Sequence, residues 1–172
     1  MLKFREEVLE RVARETEERL GLADEAPALV RVDVKHVENL RLMIKTRDDG
    51  KHIFWTDEPK NRGGEDTAPA PLPYFIAGAA SCFLMQCVKV AGYRMIDVDD
   101  VEVTCVGRFD RRVGEGFREI VYEVKVKGAE DLAKVREMVS EAERMCFAHR
   151  TLSKAVKTRL RLYYNGRLVE ER

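Results

Sequence analysis

One stretch of the sequence, residues 71–93, constrains the fold more than any other because it is apolar almost all round. It reads PLPYFIAGAASCFLMQCVKVAGY, and no charged residue lies between Leu72 and Val88. A helix that is hydrophobic on every face must be covered on every face. A chain of 172 residues can cover one or two of those faces with a sheet, so the remaining face predicts a second copy of the chain.

A membrane span is the alternative interpretation of this stretch. Its seventeen uncharged residues, with Pro73 and Gln86 among them, are at the short end of what a bilayer needs. The rest of the chain is strongly charged, so we interpret residues 71–93 as a buried helix and expect no membrane partner.

The charged residues and the cysteines also limit the functions that the chain could have. Acidic and basic residues balance at 31 each, so no overall field favours nucleic acid. Charged residues make up 36% of the chain, with one Gln and few Asn, which is typical of heat-adapted proteins and predicts a thermophile. The charged opening MLKFREEVLERV predicts no secretory signal. Four cysteines in such a chain indicate a reducing cytoplasm, where they are more often buried, metal-binding or catalytic than disulfide-bonded.

The first half of the chain predicts one helix and three strands. Residues 2–20 have a partial apolar stripe and end before Gly21, which predicts a helix that packs on the body or on a partner. Residues 22–28 look like a linker around Pro27. Alternation in residues 29–37 predicts a half-buried strand, and two more strands, joined by a turn at 48–50, complete a three-stranded meander. Residues 57–71 are rich in Pro, Gly and charge and predict an exposed loop.

The second half predicts two long strands, another helix and a closing hairpin. The strands are VDDVEVTCVGRFDR and FREIVYEVKVKG, with a turn at RRVGEG between them, and residues 129–145 have helical spacing. Residues 151–156 predict a short helix, and Asn165-Gly166 predicts the turn of the last hairpin. Because strands and helices are partly segregated, we expect an α+β fold.

Metal and phosphate sites are poorly supported by the spacing. Cys82 and Cys87 are five residues apart, which is wrong for a zinc knuckle, and Cys146 with His149 lacks a second pair of ligands. Residues 62–65, RGGE, lack the Lys-Ser/Thr of a phosphate loop. Ser81 with His149 leaves a serine-type site open, although Ser81 lacks the glycine-flanked turn of such nucleophiles. We expect neither a metal nor an organic cofactor.

Cysteine chemistry is the remaining class. Only a thiolate attacks a peroxide, and a thiolate inside an apolar helix needs a positive neighbour because desolvation disfavours it. A second cysteine must then attack the sulfenic acid to stop over-oxidation. By spacing alone, each cysteine also fits the role of a small buried packing residue.

Three segments together resemble the OsmC/Ohr family of thiol-dependent hydroperoxide reductases. PLPYFIAGAASCF is similar to the segment around that family's first cysteine, and AERMCFAHRTL to the segment around its second. HIFWTDEPKNRGGEDTAPAP resembles the family's "D-x-P … GG-x-D … P-x-P" approach to the helix. The likeness covers about residues 30–164, and the order of the elements agrees.

The resemblance implies a fold and roles for three residues. The family fold is an intertwined α+β homodimer in which two core helices pack on antiparallel sheets, with active sites at the subunit interface. Cys82 then corresponds to the peroxidatic cysteine and Cys146 to the resolving one. Counting back from Glu58-Pro59, Arg41 matches the arginine that holds the thiolate, although a solvated strand arginine is the alternative.

Two positions depart from the family pattern. The family has Pro-Glu at the start of the helix, where the Glu pairs with the catalytic arginine, whereas Leu72 follows Pro71 here. Arg41 would then be free to move, or it would pair with Asp57, Glu58 or Glu65. The proline usual after the second cysteine is replaced by Phe147.

We therefore expect an N-terminal helix and linker over residues 1–28 and an OsmC-like domain over 29–172. The resemblance implies a cytoplasmic homodimer that reduces small organic hydroperoxides and is restored by an external dithiol, either lipoyl-linked or thioredoxin-like. The rival hypothesis is a non-catalytic dimer of the same fold that binds a small apolar ligand in its interfacial pocket.

Overall fold

The protein has an α+β fold, as the sequence predicts. The computed structural model describes residues 2, 4, 6–21, 28–46, 51–110 and 116–172. The helices of this part are α1 (Glu6–Gly21), α2 (Pro71–Tyr93), α3 (Leu132–Met145) and α4 (Phe147–Leu152), with a 3₁₀ turn at Lys60–Arg62. The strands are β1 (Val32–Glu38), β2 (Arg41–Thr46), β3 (Ile53–Thr56), β4 (Val98–Phe109), β5 (Phe117–Gly128), β6 (Lys157–Tyr164) and β7 (Arg167–Glu171).

The chain divides into two compact units, Met1–Leu22 with Ile76–Arg172 and Ala23–Phe75. Strands β1, β2 and β3 form an antiparallel meander in the second of these units, which confirms the predicted three strands. The linker around Pro27 and the turn at 48–50 lie outside the described residues, as does most of the turn at 111–116.

The first unit is built on the sheet β4-β5-β6-β7. Its neighbours are antiparallel except β5 and β6, which run parallel, whereas wholly antiparallel sheets were expected. The difference follows from connectivity, because α3 and α4 form a crossover that returns the chain to the same end of the sheet. Buried residues of α2, α3 and the strands form one core, with Phe83, Met138, Tyr122 and Leu162 among its largest members.

Helix α2 has the bounds that the apolar run predicts. Pro71 occupies its first position, where the missing N–H of proline is harmless. By length and hydropathy, which averages 1.5 over its most apolar window, α2 is the one helix of the described part that could span a membrane. Core helices of soluble proteins meet the same criteria. Only 39% of that window is buried, so much of an apolar helix is left uncovered by this chain.

The N-terminal helix packs on the body of its own chain. A Cβ added at Gly92 of α2 would come within 3.0 Å of Leu9 Cδ2, and Thr16 is buried. Glu15 forms an ion pair with Lys89 of α2. The described helix starts at Glu6 rather than residue 2, and the division of the chain at residue 28 stays a prediction.

The loop after β3 is ordered around a buried carboxylate, so the expectation of an exposed loop is wrong for its first residue. Asp57 is 1% exposed and accepts hydrogen bonds from the backbone N–H groups of Glu58, Glu65 and Thr67 and from the Thr67 hydroxyl. These bonds, the one from the Thr67 N–H foremost, hold the pKa of Asp57 below its usual value against the opposing effect of burial. Gly64 is required here, because a Cβ would lie 1.8 Å from the Glu58 carbonyl oxygen.

Strand β1 departs from the prediction of a half-buried strand. Its apolar residues Val32 and Val34 are 51% and 56% exposed. The alternation of side chains is as predicted, but the described residues of its own unit leave both valines exposed. Such a face is typical of a surface that another chain covers.

Candidate active site

Cys82 and Cys146 lie side by side in the first unit. The Sγ atom of Cys146 is 3.4 Å from the Sγ atom of Cys82, at hydrogen-bonding distance with the Cys146 thiol as donor. Both cysteines are free. Since a disulfide bond is about 2.05 Å long, a rotation or small shift of the two side chains would let them bond.

The position of Cys146 follows from a break between two helices. Cys146 ends α3 with its N–H donating to the Ala142 carbonyl, and its extended backbone (φ −79°, ψ 110°) begins α4. Its sulfur accepts a hydrogen bond from the backbone N–H of His149 at 3.4 Å, as an N-cap side chain does. The short helix therefore begins at Phe147 and ends at Leu152, whereas residues 151–156 were expected. A capping side chain at Cys146 is the physical reason for the earlier start.

The two sulfurs differ in access. Cys146 is 0% exposed, whereas Cys82 is only half-buried. Burial raises the pKa of Cys146 despite the hydrogen bond from His149 N–H. Cys146 is therefore a thiol at neutral pH, and Cys82 is the sulfur that a molecule from solvent meets first.

An aromatic group packs beside the pair, and no pattern in the sequence predicts it. The ring of Tyr122 on β5 lies 5.3 Å from the ring of Phe83 and 5.2 Å from that of His149. Phe83 follows Cys82, and His149 lies three residues after Cys146. The Tyr122 side chain is fully buried, and its hydroxyl has no hydrogen-bond partner in the described part of the chain. Its strand alternation marks Tyr122 as core, but only tertiary contacts show what surrounds its hydroxyl.

The His149 ring is partly enclosed. Its Nε2 lies 3.8 Å from a Glu143 carboxylate oxygen. Burial lowers the pKa of His149, and the positive charge of Arg172 lowers it further. The nearby Glu143 carboxylate raises this pKa, but the net effect is a lowering. The neutral ring therefore predominates at pH 7.

The other two cysteines have different surroundings. Cys87 is fully buried on α2, and burial raises its pKa strongly. Cys105 on β4 faces Tyr122 across the β4–β5 pair, and burial raises its pKa to about 11. Both thiols stay protonated at neutral pH.

Arg41 lies in the other unit, at the start of β2. Its Nη1 is 3.5 Å from a Glu38 carboxylate oxygen, and its guanidinium carbon lies 4.6 Å from the centre of the Trp55 ring. Its Nε is buried with no hydrogen-bond partner among the described residues. The partner shown for Arg41 is thus Glu38, rather than Asp57, Glu58 or Glu65. Glu58 instead pairs with Arg62 at 3.6 Å.

No three His, Cys, Asp or Glu side chains in the described ranges form a group suited to a metal ion.

Comparison with known proteins gives a family and a fold. A family model described as OsmC-like protein matches residues 63–161, which is more than half of the chain and includes both Cys82 and Cys146 but not Arg41. No curated protein sequence matches.

Solved structures with the same fold include three bacterial proteins. An organic hydroperoxide resistance protein OsmC from Legionella pneumophila is 22% identical, covers 81% of this chain and 99% of its own, and has a TM-score of 0.64. An organic hydroperoxide resistance protein from Elizabethkingia anophelis is 19% identical, and the match covers 83% of this chain and 100% of that protein, with a TM-score of 0.67. An OsmC-like protein from Mycoplasma pneumoniae is 18% identical, and the match covers 80% of this chain and 99% of that protein, with a TM-score of 0.68. At these identities the likeness establishes the shared fold.

Proposed function

The chain belongs to the OsmC-like protein family, and from that premise we propose that it is a thiol-dependent peroxidase that reduces organic hydroperoxides. The observation that carries the proposal is the 3.4 Å separation of the Cys82 and Cys146 sulfurs. Two free thiols at that distance, one half-buried and one fully buried, suit a reaction that begins at the first and ends as a disulfide with the second.

In the first step, the Cys82 thiolate attacks the terminal oxygen of the hydroperoxide. A sulfur–oxygen bond forms as the oxygen–oxygen bond breaks, and the alkoxide leaves as an alcohol after taking a proton. Sulfur is oxidised to the sulfenic acid and the peroxide is reduced. The half-buried position of Cys82 gives a small hydroperoxide access while limiting larger oxidants.

In the second step, Cys146 attacks the Cys82 sulfenic acid. A sulfur–sulfur bond forms, the sulfur–oxygen bond breaks, and the thiol proton of Cys146 leaves with the oxygen as water. The sulfurs already lie within hydrogen-bonding distance, so the disulfide forms before a second peroxide over-oxidises Cys82. An external dithiol, either lipoyl-linked or thioredoxin-like, then restores the two thiols.

Arg41 is our proposed cation for this chemistry. Its guanidinium cannot lose its charge, and its planar donors suit both a thiolate and a peroxide oxygen. In this chain Leu72 occupies the position where the family pattern has the glutamate that pairs with the arginine. Glu38, whose carboxylate lies 3.5 Å from Arg41 Nη1, is the partner that holds Arg41 before substrate binds. The buried Nε of Arg41 supports the proposal, because it is a donor without an acceptor among the described residues.

A homodimer in the cytoplasm completes the proposal. Helix α2 leaves three large apolar side chains exposed, at 42%, 48% and 55%, namely Leu72, Phe75 and Met85. Because each is already about half buried, its full burial adds only about half of the ~1.5–3 kcal/mol that a fully exposed side chain gains, and the three together favour a partner copy against this helix.

The rival function is a dimer of the same fold that binds a small apolar ligand and leaves its thiols idle. The exposed Leu72 at the start of α2 favours this candidate, because an apolar side chain stands where a charged partner for Arg41 is expected.

Peroxide consumption in the presence of a dithiol separates the two functions. Wild type should consume cumene hydroperoxide and Cys82→Ser should not, whereas the matched control Cys105→Ser should keep the wild-type rate. Equal consumption by wild type and Cys82→Ser would exclude the mechanism. No consumption by wild type, together with a bound apolar ligand, would establish the rival.

A further inference from the structure

The Tyr122 hydroxyl is a buried donor that the two reaction steps above do not use. Tyr122 is fully buried by its own chain, and its hydroxyl has no hydrogen-bond partner among the described residues. A buried hydroxyl without a partner carries the full penalty of desolvation. By contrast, the Tyr93 hydroxyl donates to the Glu141 carboxylate.

The location of Tyr122 relates the hydroxyl to the sulfur pair. Its ring contacts Phe83, next to Cys82, and His149, whose backbone N–H bonds to the Cys146 sulfur. Burial raises the pKa of Tyr122, and charge on Cys105, Cys146 and Cys82 raises it further. The ring therefore packs against residues that adjoin both reactive sulfurs, and the hydroxyl remains protonated, and so a donor, throughout the physiological range.

We propose that Tyr122 is a catalytic residue of disulfide formation, whose hydroxyl donates a hydrogen bond to the Cys82 sulfenic oxygen as that oxygen leaves. This proposal rests on the proposed peroxidase function and concerns its second step. The resting thiols offer the hydroxyl no partner, whereas the sulfenic acid adds an oxygen at Cys82 that can accept its hydrogen bond.

The balance of the step is unchanged by Tyr122. The Cys146 sulfur displaces the oxygen from Cys82, and the Cys146 proton becomes the second proton of the leaving water. Negative charge accumulates on the oxygen as the sulfur–oxygen bond lengthens. A donor held by a buried ring, once bonded to that oxygen, stabilises the transition state more than the ground state. Tyr122 stays a phenol at the end.

The variant Tyr122→Phe isolates the hydroxyl, because it keeps the ring packing on Phe83 and His149. Reduced protein is mixed with one equivalent of cumene hydroperoxide, and samples are quenched over time with a sulfenic-acid-specific dione. Mass spectrometry then measures the Cys82 sulfenic acid and the Cys82–Cys146 disulfide separately. We expect Tyr122→Phe to form the sulfenic acid at the wild-type rate but the disulfide about a hundredfold more slowly, as loss of one transition-state donor predicts.

Tyr93→Phe is the matched control, since it removes a tyrosine hydroxyl at the C-terminal end of α2 that donates its hydrogen bond to Glu141 of α3. It should lower the melting temperature and leave disulfide formation unchanged, whereas Tyr122→Phe should leave the melting temperature unchanged or higher. A general loss of packing would slow both steps and would contradict the proposal.

The outcomes separate the two proposals. Equal rates of disulfide formation in wild type and Tyr122→Phe would overturn the role of Tyr122 and leave the peroxidase standing. Absence of both sulfenic acid and disulfide in wild type would overturn both.

Discussion

The sulfur of Cys146 lies 3.4 Å from the sulfur of Cys82, although 64 positions separate the two residues. Cys82 lies within a long core helix, and Cys146 lies at the break between two others. The break matters because an extended residue at the start of α4 turns the Cys146 side chain toward α2. The proposed peroxidase depends on this relationship.

Replacing Arg41 tests the cation. Arg41→Ala should lower the rate of peroxide reduction by about tenfold, which corresponds to about 1.4 kcal/mol of barrier. The reason is that the variant removes the positive charge proposed to stabilise the thiolate and the leaving oxygen. Steady-state kinetics with a dithiol reductant measures the effect. Arg31→Ala, at an exposed arginine that pairs with Asp33, is the control, and an equal loss in both variants would refute a specific role for Arg41.

The cysteines outside the pair should be unreactive in the folded protein. Cys87 is buried and Cys105 has its pKa raised to about 11, so at pH 8 little thiolate is present at either. Iodoacetamide should label Cys82 first, and labelling of Cys105 should rise only as the pH approaches 11. Peptide mapping after timed alkylation follows each site. Labelling of Cys87 or Cys105 at pH 8 as fast as Cys82 would show that the roles are misassigned.

The exposed face of α2 should be a dimer interface. We expect a homodimer that buries more than about 2,000 Å² in total, as obligate interfaces do. Met85→Glu places a charge on this face, at a side chain that is 55% exposed, and should shift the protein to monomer in light scattering at micromolar concentration. Met85→Leu, which keeps the surface apolar, should stay dimeric. A monomeric wild type would contradict the prediction.

The buried carboxylate of Asp57 should make the free energy of unfolding depend on pH. The pKa of Asp57 is lowered in the folded state by hydrogen bonds from Thr67 and its neighbours. A lowered folded pKa gives stability that is present above the unfolded pKa, near 4, and is lost as the pH falls through the folded value. Asp57→Asn should therefore be less stable than wild type at pH 7. Its free energy of unfolding should also change less than that of wild type as the pH falls from 5 to 2.

Chemical denaturation across that range measures the effect. Glu65→Gln is the matched control, because the Glu65 backbone N–H, not its side chain, bonds to Asp57. If Asp57→Asn keeps the wild-type pH dependence, Asp57 does not supply it.

The sequence predicted the features of the fold that depend on local sequence patterns. The apolar run from Pro71 gave the bounds of α2, and Asn165-Gly166 gave the last hairpin, where both residues have positive φ as a tight turn requires. The pairing of Cys82 with Cys146 came from the family resemblance, since spacing along the chain gives no distance between helices.

What sequence could not give depends on tertiary contacts. Asp57 appeared exposed because its acceptors are satisfied by residues up to ten positions away. The parallel β5–β6 pair depends on how α3 and α4 cross the sheet. The orphan hydroxyl of Tyr122 appears only once its surroundings are known. The division at residue 28 and the heat-adapted origin stay predictions.

Disulfide mapping tests whether Cys82 and Cys146 form the redox pair. Fully reduced protein is treated with one equivalent of cumene hydroperoxide, digested without reductant, and its cross-linked peptides are identified by mass spectrometry. We expect one dominant disulfide, between Cys82 and Cys146, and in Cys146→Ser a Cys82 sulfenic acid that persists after about one turnover. A disulfide through Cys87 or Cys105 in its place, or unmodified Cys82 after the peroxide has been consumed, would contradict it.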